Sequence, residues 1–293
     1  MIPIVLLHHN QPDVLLKSIS FINERTRYPH KIFVVDNSSI IDDHLNSVLS
    51  CIEDEYGVNV IKNTKDNWIY GFNLALHSKD WPNSEFYAFS DADIYVPELN
   101  GDECWLEYMV RQLKEYCCIG KLGLSLSLEN LEKNPALSRT LEIEKRFINN
   151  GPRIGENVVA PVDTTMALYR RDFFVTDFRF RIGHASLARP HYYTCRTKYA
   201  TAAVHVGWDY YPGAGRLVPE SEEQWKKAWV FAWMGAQVAP ELRAQFRLFR
   251  RVILASIINS IRLVHGFKVT LYMAVYLIAH FPRRLNEIQA RSR

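Results

Sequence analysis

Short apolar runs alternate with amphipathic stretches over the first hundred residues. Residues 2–7 form a short continuous apolar run, which is typical of a strand buried on both faces. Residues 31–36 and 58–61 are predicted to form the second and third strands. Residues 14–22 and 42–55 place hydrophobic side chains at helical spacing. Because strand and helix alternate with short turns, the pattern predicts right-handed βαβ crossovers and a mostly parallel sheet with flanking helices.

A fourth apolar run, residues 85–90, ends in Asp91-Ala92-Asp93. Residues i and i+2 of an extended chain point to the same side, so both carboxylates can face one ion. An acidic pair alone also suits a solvated turn. The parallel topology, however, puts residues 8–10 and Asp36 at the same carboxyl edge, where open α/β sheets bind ligands. Oxygen ligands suit Mg²⁺ or Mn²⁺ shared with phosphates, so we predict such a site at this edge.

The middle of the chain is less regular. The pattern predicts a helix over 105–116, a strand over 119–128 and a mobile polar loop over 129–157. Asp163 stands at the entry to a further apolar run. Residues 200–206 are predicted to form a strand that carries His205, and Asp209 follows shortly afterwards.

The character of the sequence changes after Pro219. A predicted helix over 220–238 carries tryptophans at i, i+4 and i+8, which lie on one face: Trp225, Trp229 and Trp233. Two apolar stretches of thirteen residues follow, 252–264 and 269–281, each short of the ~20 residues that span a bilayer. Arginines flank them, which favours helices lying in a layer of anionic head groups. Packing on the preceding part of the chain or a dimer interface is the alternative.

Charge and cysteine content indicate the cellular location of the protein. The chain carries a net charge of +3, yet from Glu241 onward it has ten Lys/Arg and only two acidic residues. These cations alternate with apolar runs, which favours a membrane surface over nucleic acid. The five cysteines lack metal-site spacing, and no signal peptide opens the chain. We therefore predict a cytoplasmic protein that is peripheral on the inner face of the cell membrane.

The ordered motifs of residues 2–100 resemble those of a nucleotide-sugar glycosyltransferase of the GT-A fold, in the style of family 2. The resemblance rests on the opening strand with its Asn10-Gln11-Pro12-Asp13 turn, Val34-Val35-Asp36-Asn37-Ser38, Asn63 with Gly71-Phe72-Asn73, and Asp91-Ala92-Asp93. It is looser over 163–211 and absent from 220 on. It implies a catalytic domain over 1–215, with nucleotide-sugar binding in 1–100 and the acceptor side in 101–215. Residues 216–293 would form a basic, membrane-associating helical region.

The resemblance also implies roles for individual residues. Asp36 would accept a hydrogen bond from the base, commonly uracil, and Asp91 would hold the ribose or a water on the metal. Asp93 would bind the metal, with His205 as a further ligand beside Asp91 and Asp93. The donor-binding set implied in this way is His8, His9, Asn10, Asp36, Asn63, Asn73 and Asp91.

The resemblance implies transfer from a UDP-sugar to a glycan or lipid-linked acceptor. The basic, amphipathic tail fits a lipid-linked acceptor, as in bacterial surface polysaccharide synthesis. An inverting transfer needs a general base for the acceptor hydroxyl, and the Glu-Asp pair that many relatives carry is missing. Asp163 and Asp209 are the candidates. Two rivals are a sugar-phosphate nucleotidyltransferase, which should open with a Gly-rich basic loop, and a non-catalytic membrane adaptor.

Overall fold

The computed structural model describes residues 1–38, 40–63, 71–99, 101–162, 164–171 and 193–210. Beyond these it describes positions 225, 228, 229, 232, 238, 243, 244, 246–261, 263, 264, 267, 271 and 274. The chain divides into two units, Met1–Tyr211 and Pro212–Arg293.

The first unit alternates strands and helices from its first residues. Its strands are β1 (Ile2–His8), β2 (His30–Asp36), β3 (Asn59–Lys62), β4 (Phe86–Asp91), β5 (Ile94–Tyr95), β6 (Ile119–Gly123), β7 (Arg153–Ile154), β8 (Asn157–Val159), β9 (Ala167–Arg170), β10 (Tyr193–Arg196) and β11 (Val204–His205). Its helices are α1 (Pro12–Arg25), α2 (Asp43–Tyr56), α3 (Phe72–Leu76), α4 (Trp105–Glu115), α5 (Glu129–Lys133) and α6 (Ser138–Asn150). Short 3₁₀ turns cover Pro135–Leu137, Tyr199–Thr201 and Val206–Tyr210.

One large sheet organises this unit, in the order β3-β2-β1-β4-β9-β6-β10-β8-β7. The first four strands are parallel, and β9 enters antiparallel between β4 and β6. β11 pairs with β5 in a separate two-stranded ribbon. The predicted α/β class with a mostly parallel sheet is confirmed.

The apolar pattern explains why the strand ends meet at one edge. β1 is buried along nearly its whole length, and α1 and α2 add their apolar faces to the same core. Asp42 caps α2 by accepting a hydrogen bond from Leu45 N at 2.8 Å, and Gly57 ends it in the left-handed region at φ +64°. These well-defined ends keep the connections short, so the carboxyl ends of β1, β2 and β4 lie side by side.

The predicted mobile loop over 129–157 is wrong, because this stretch forms α5, α6, β7 and β8. The charged residues of this stretch are good helix formers, and its apolar residues are separated by several polar ones. Glu144 of α6 is buried and pairs with the guanidinium of Arg196. The predicted strand over 119–128 ends at Gly123, and that over 200–206 shrinks to Val204–His205.

The second unit has its own small core. Residues 248–261 are helical, and Phe246 and Leu254 are buried together with Ala228, Ala232 and Val238. Trp225 meets Phe246 edge to face, with ring centroids 5.4 Å apart. Trp225 and Trp229 therefore pack within this unit, while Trp233 lies outside the described residues. No helix in the described part of the chain is both long and apolar enough to cross a membrane.

Candidate active site

His8 and Asp36 lie opposite each other at the carboxyl ends of β1 and β2. His8 Nδ1 is 2.8 Å from Asp36 Oδ1, and both side chains are buried. The backbone N–H of Gln11 donates to His8 Nε2 at 3.1 Å. Because Nε2 accepts this hydrogen bond, the ring proton is on Nδ1, and Nδ1 donates a hydrogen bond to Asp36 Oδ1.

Asp36 receives further donors on the same oxygen. Ser38 donates to Asp36 Oδ1 from its hydroxyl at 2.6 Å and from its backbone N–H at 3.1 Å. Burial raises the pKa of Asp36, but the hydrogen bonds from His8 and Ser38 outweigh it and hold the pKa below its usual value. Asp36 is therefore a carboxylate at neutral pH, with Oδ1 saturated by three donors and Oδ2 given none by the described residues.

The turn after β1 is fastened to the turn after β2. Asn10 adopts φ +54°, which an Asn tolerates better than most residues. Its backbone N–H donates to Ser38 Oγ at 3.0 Å, and its side-chain oxygen accepts from Ile40 N at 3.1 Å. His9 stays exposed on this turn. Residues 8–10 thus border the Asp36 carboxylate, as the sequence predicts.

Asn63 and Asn37 extend this edge towards β3. Asn63 donates from its backbone to Asp36 O at 2.9 Å and from its side chain to Asn37 Oδ1 at 2.8 Å. A Cβ atom at Gly71 would lie 3.0 Å from Val35 Cγ1, so α3 begins in tight contact with β2. Asn73 lies half-buried in α3.

Asp91 ends β4 and is held by the segment that precedes β9. Its backbone N–H donates to Thr164 O at 2.8 Å, and its carboxylate accepts a hydrogen bond from the Thr164 hydroxyl. Met166 follows at φ +24°, a strained value for this residue type. Buried Lys121 donates to Val162 O at 2.5 Å. The loop facing Asp91 is therefore fixed on both sides of residue 163.

Asp93 lies two residues beyond Asp91 and meets His205. Its Oδ2 is 3.6 Å from His205 Nδ1, while its Oδ1 is buried and has no hydrogen-bond partner among the described residues. The β5–β11 ribbon brings the two together, because His205 pairs with Ile94 and Val206 N donates to Asp93 O at 3.0 Å. A buried acceptor without a donor is costly unless a cation or a ligand satisfies it.

The 3₁₀ turn after His205 completes this corner. A Cβ atom at Gly207 would lie 2.1 Å from Asp93 Oδ2, so only glycine lets the turn approach so closely. The Trp208 ring stacks on His205, with centroids 4.6 Å apart and planes 9° apart. Asn130 of α5 donates to Asp209 Oδ2 at 3.0 Å and to His205 O at 3.4 Å.

The structure unites some predicted residues and separates others. His8, Asn10, Asp36 and Asn63 share one edge, and Asp93 adjoins His205. Within the described ranges, no three His, Cys, Asp or Glu side chains gather closely enough to hold a metal, and the Asp91 carboxylate accepts a hydrogen bond from Thr164. The role of Asp91 as a ligand therefore stays a prediction.

Of the two candidate bases, Asp209 is exposed and anchored by Asn130. Asp163 lies outside the described residues. Sequence reasoning missed the contributions of Thr164, Asn130 and Gly207, because no local pattern links them to the strand ends. Ser38 belonged to a quoted motif and could have been found there.

Comparison with known proteins places this geometry in context. The family model described as "Glycosyl transferase family 2" matches residues 4–177. Among solved structures, the chain is similar to the mannosyltransferase PcManGT from Pyrobaculum calidifontis in complex with GDP-Man and Mn²⁺. That pair shares 15% identity and a TM-score of 0.50, over 99% of this chain and 79% of that chain.

Two further solved structures are more distant. GalNAc-T7 with UDP, GalNAc and Mn²⁺ shares 14% identity and a TM-score of 0.48, over 96% of this chain and 58% of that chain. S. aureus TarS shares 13% identity and a TM-score of 0.43, over 90% and 55%. This chain thus spans little more than half of either protein, and a search of curated proteins finds no match. Because the family model covers more than half of the sequence, the chain belongs to glycosyl transferase family 2 and is a glycosyltransferase of the GT-A fold.

Proposed function

We propose that this glycosyltransferase moves a hexosyl group from a UDP-sugar to a glycan or lipid-linked acceptor with the help of Mn²⁺ or Mg²⁺. One observation carries the proposal: the buried Asp36 carboxylate and the Asp93–His205 pair lie at the same carboxyl edge of the sheet. The mannosyltransferase with the same fold was solved with GDP-Man and Mn²⁺, which supports a nucleotide-sugar donor and a divalent metal.

The hydrogen bonds of Asp36 favour uracil over guanine. Oδ1 is already filled by His8 and Ser38, so Oδ2 alone remains to accept a donor from a base. Uracil presents a single imide N–H, which one oxygen satisfies. Guanine presents an N–H and an amino group side by side and binds best to two carboxylate oxygens. A one-oxygen acceptor therefore supports a uridine donor.

The corner at Asp93 fits a divalent cation. Asp93 Oδ1 is a buried acceptor with no donor in the described part of the chain, and His205 Nδ1 lies 3.6 Å from Oδ2. Carboxylate and imidazole ligands suit Mn²⁺. Asp93 and His205 would hold the ion, with Asp91 beside them. When bound, the ion neutralises charge that develops on the leaving diphosphate.

The side chains at this edge have separate tasks in an inverting transfer. Asp36 fixes the base, and Asp91 orients the ribose. The acceptor oxygen forms a bond to C1 of the sugar while the bond from C1 to the phosphate oxygen breaks. The acceptor proton passes to a carboxylate, either Asp163 or Asp209, and the nucleoside diphosphate leaves.

We further propose a role in bacterial surface polysaccharide synthesis on the inner face of the cell membrane. Support comes from the second unit, where exposed Arg247 and Arg251 stand next to exposed Leu248 and Val252 along the chain. A peripheral enzyme in this position would meet lipid-linked acceptors directly.

A donor panel tests the proposed reaction. Wild type and Asp93→Asn would be incubated with UDP-, GDP- and dTDP-sugars, with Mn²⁺ or with EDTA, and release of nucleoside diphosphate measured. We expect release from UDP-sugars in wild type only, abolished by EDTA. Pyrophosphate release from UTP and a sugar 1-phosphate would identify a nucleotidyltransferase instead. Turnover of GDP- or dTDP-sugars in place of UDP-sugars would contradict the uridine donor.

A further inference from the structure

The second unit exposes an unusual number of large apolar side chains. Leu248 and Phe249 are 76% and 75% exposed, and Val252 follows one turn later at 55%. Exposed apolar residues recur at further helical positions with spacings of one, three and four: Leu263, Val264, Phe267, Leu271 and Ala274. Large exposed apolar surfaces with polar borders mark contact sites for membranes or proteins.

The charge on this surface has one sign. Residues 242–286 contain eight Lys or Arg and no Asp or Glu. Among the described residues, Arg243, Arg247 and Arg251 are exposed beside Leu248 and Val252. Such a surface repels a second copy of itself and attracts an anionic partner. Nucleic acid would leave the adjoining leucine and phenylalanine in water, whereas a lipid bilayer would cover them.

A cavity of about 320 Å³ lies between the arginines and the apolar residues. It is lined by Arg243, Ala244, Arg251, Val252 and Ala255. Two hydrogen bonds to backbone carbonyls hold the Arg251 guanidinium in place. Its Nε donates to Phe246 O and its Nη2 donates to Ala244 O, both at 2.6 Å. Neither of these two bonds uses Nη1 of Arg251. The lining of the cavity thus combines two guanidinium groups with apolar side chains.

We propose that this cavity binds the phosphodiester of an anionic phospholipid, and that Leu248, Phe249 and Val252 insert among the acyl chains beside it. The inference rests on the membrane location proposed above and adds a specific head-group site. Guanidinium groups bind phosphate through parallel N–H donors, and the apolar side chains supply the affinity that two charges alone lack.

Vesicle flotation tests the site with the full chain. Vesicles of pure phosphatidylcholine would be compared with vesicles containing about one third phosphatidylglycerol. We expect wild type to float with the anionic vesicles only. Arg243→Glu should weaken this binding by about 10-fold or more, because each Lys or Arg near an anionic membrane surface adds to the attraction. Phe249→Ser should weaken the binding comparably.

Matched controls come from exposed positions of α6 in the first unit. Arg146→Glu makes the same charge change, and Ile143→Ser replaces a smaller and less exposed apolar side chain with serine; both should float like wild type. Arg243→Gln, with circular dichroism, guards against misfolding. If Arg243→Glu and Arg243→Gln both float like wild type, the head-group site is wrong although the membrane location stands. If wild type does not float with anionic vesicles, both the head-group site and the membrane location are wrong. Release of UDP from a soluble donor, measured in parallel, judges the proposed reaction separately.

Discussion

His8 and Asp36 share one register position of two neighbouring strands, and both side chains are buried. The backbone of Gln11 sets the tautomer of His8, and Ser38 fills the remaining space on Asp36 Oδ1. The free oxygen of Asp36 is therefore presented in one fixed direction. This preorganisation suits the role in binding a base that we propose for Asp36, because a fixed acceptor would lower the cost of binding.

Replacing Asp36 with Asn tests its role in nucleotide binding. The amide loses the charge, and with its oxygen kept toward His8 and Ser38 it presents an N–H₂ donor in place of the Oδ2 acceptor. Loss of a charged hydrogen bond is worth about 1.5–3 kcal/mol, so we expect UDP binding to weaken about 10- to 100-fold in calorimetry. Asp54→Asn, an exposed change on α2, should bind UDP normally. Equal affinities of the two variants would refute the assignment.

Gly207 offers a second test at the scale of one residue. A Cβ atom there would push into Asp93 Oδ2, so Gly207→Ala should separate Asp93 from His205. We expect the Mn²⁺ concentration for half-maximal UDP binding to rise about 10-fold, if Mn²⁺ sits at this corner. Gly57→Ala is the control, because its positive φ costs about 1 kcal/mol of stability where no atom lies within 4 Å. A Gly207 variant that behaves like the control would contradict the proposed metal corner.

Some helices and strands can be predicted from the sequence pattern, and others cannot. β1, β2 and β4 are continuous apolar runs between turns, so their order and parallel pairing follow from pattern and handedness. α5 and α6 were missed because charged helix formers dominate them, and α6 buries Glu144 against Arg196 rather than an apolar stripe. Leu141, Phe147 and Ile148 of α6 do lie at helical spacing, but the polar composition of residues 129–157 favoured a loop.

The short helix α5 is hydrogen-bonded to His205 and to the turn that follows it. Asn130 is buried and donates to both Asp209 and the His205 carbonyl. Asn130→Ala would leave these acceptors without that donor, and we expect the Mn²⁺ requirement for UDP binding to rise about 3- to 10-fold, in line with the loss of one or two hydrogen bonds. Asn46→Ala on the exposed face of α2 is the control. Identical Mn²⁺ titrations for both variants would show that α5 does not position the site.

On the scale of the whole molecule, half of the candidate site follows from topology and half does not. The carboxyl edge with His8, Asp36 and Asp91 is dictated by parallel strands. The approach of His205 depends on a two-residue ribbon, on Gly207 and on Asn130, which lies 75 residues upstream. Such long-range contacts have no local signature, so only the resemblance pointed to His205.

Two carboxylates link the stability of the molecule to pH. Burial raises the pKa of Asp36 and of Glu156. Hydrogen bonds from His8 and Ser38, and from Lys198 and Tyr108, outweigh it, so both values fall below the ordinary 3.8 and 4.5. The unfolded chain then binds more protons in acid. Their contribution is present above pH 4.5 and is lost as the pH falls through the lowered values.

Urea denaturation followed by circular dichroism between pH 7 and 3 checks this linkage. The free energy of unfolding of wild type should fall more steeply below pH 4.5 than that of the Asp36→Asn/Glu156→Gln double variant. Exposed Asp54→Asn should follow wild type. Parallel curves for wild type and the double variant would mean that neither carboxylate is stabilised by folding.

The most direct test of the central claim is calorimetric binding of UDP with and without Mn²⁺, on wild type and Asp93→Ala. The proposed site predicts that UDP binds wild type in the presence of Mn²⁺, that binding weakens sharply without the ion, and that Asp93→Ala abolishes the response to Mn²⁺. Failure of wild type to bind UDP under either condition, or an unchanged response to Mn²⁺ in Asp93→Ala, would contradict it.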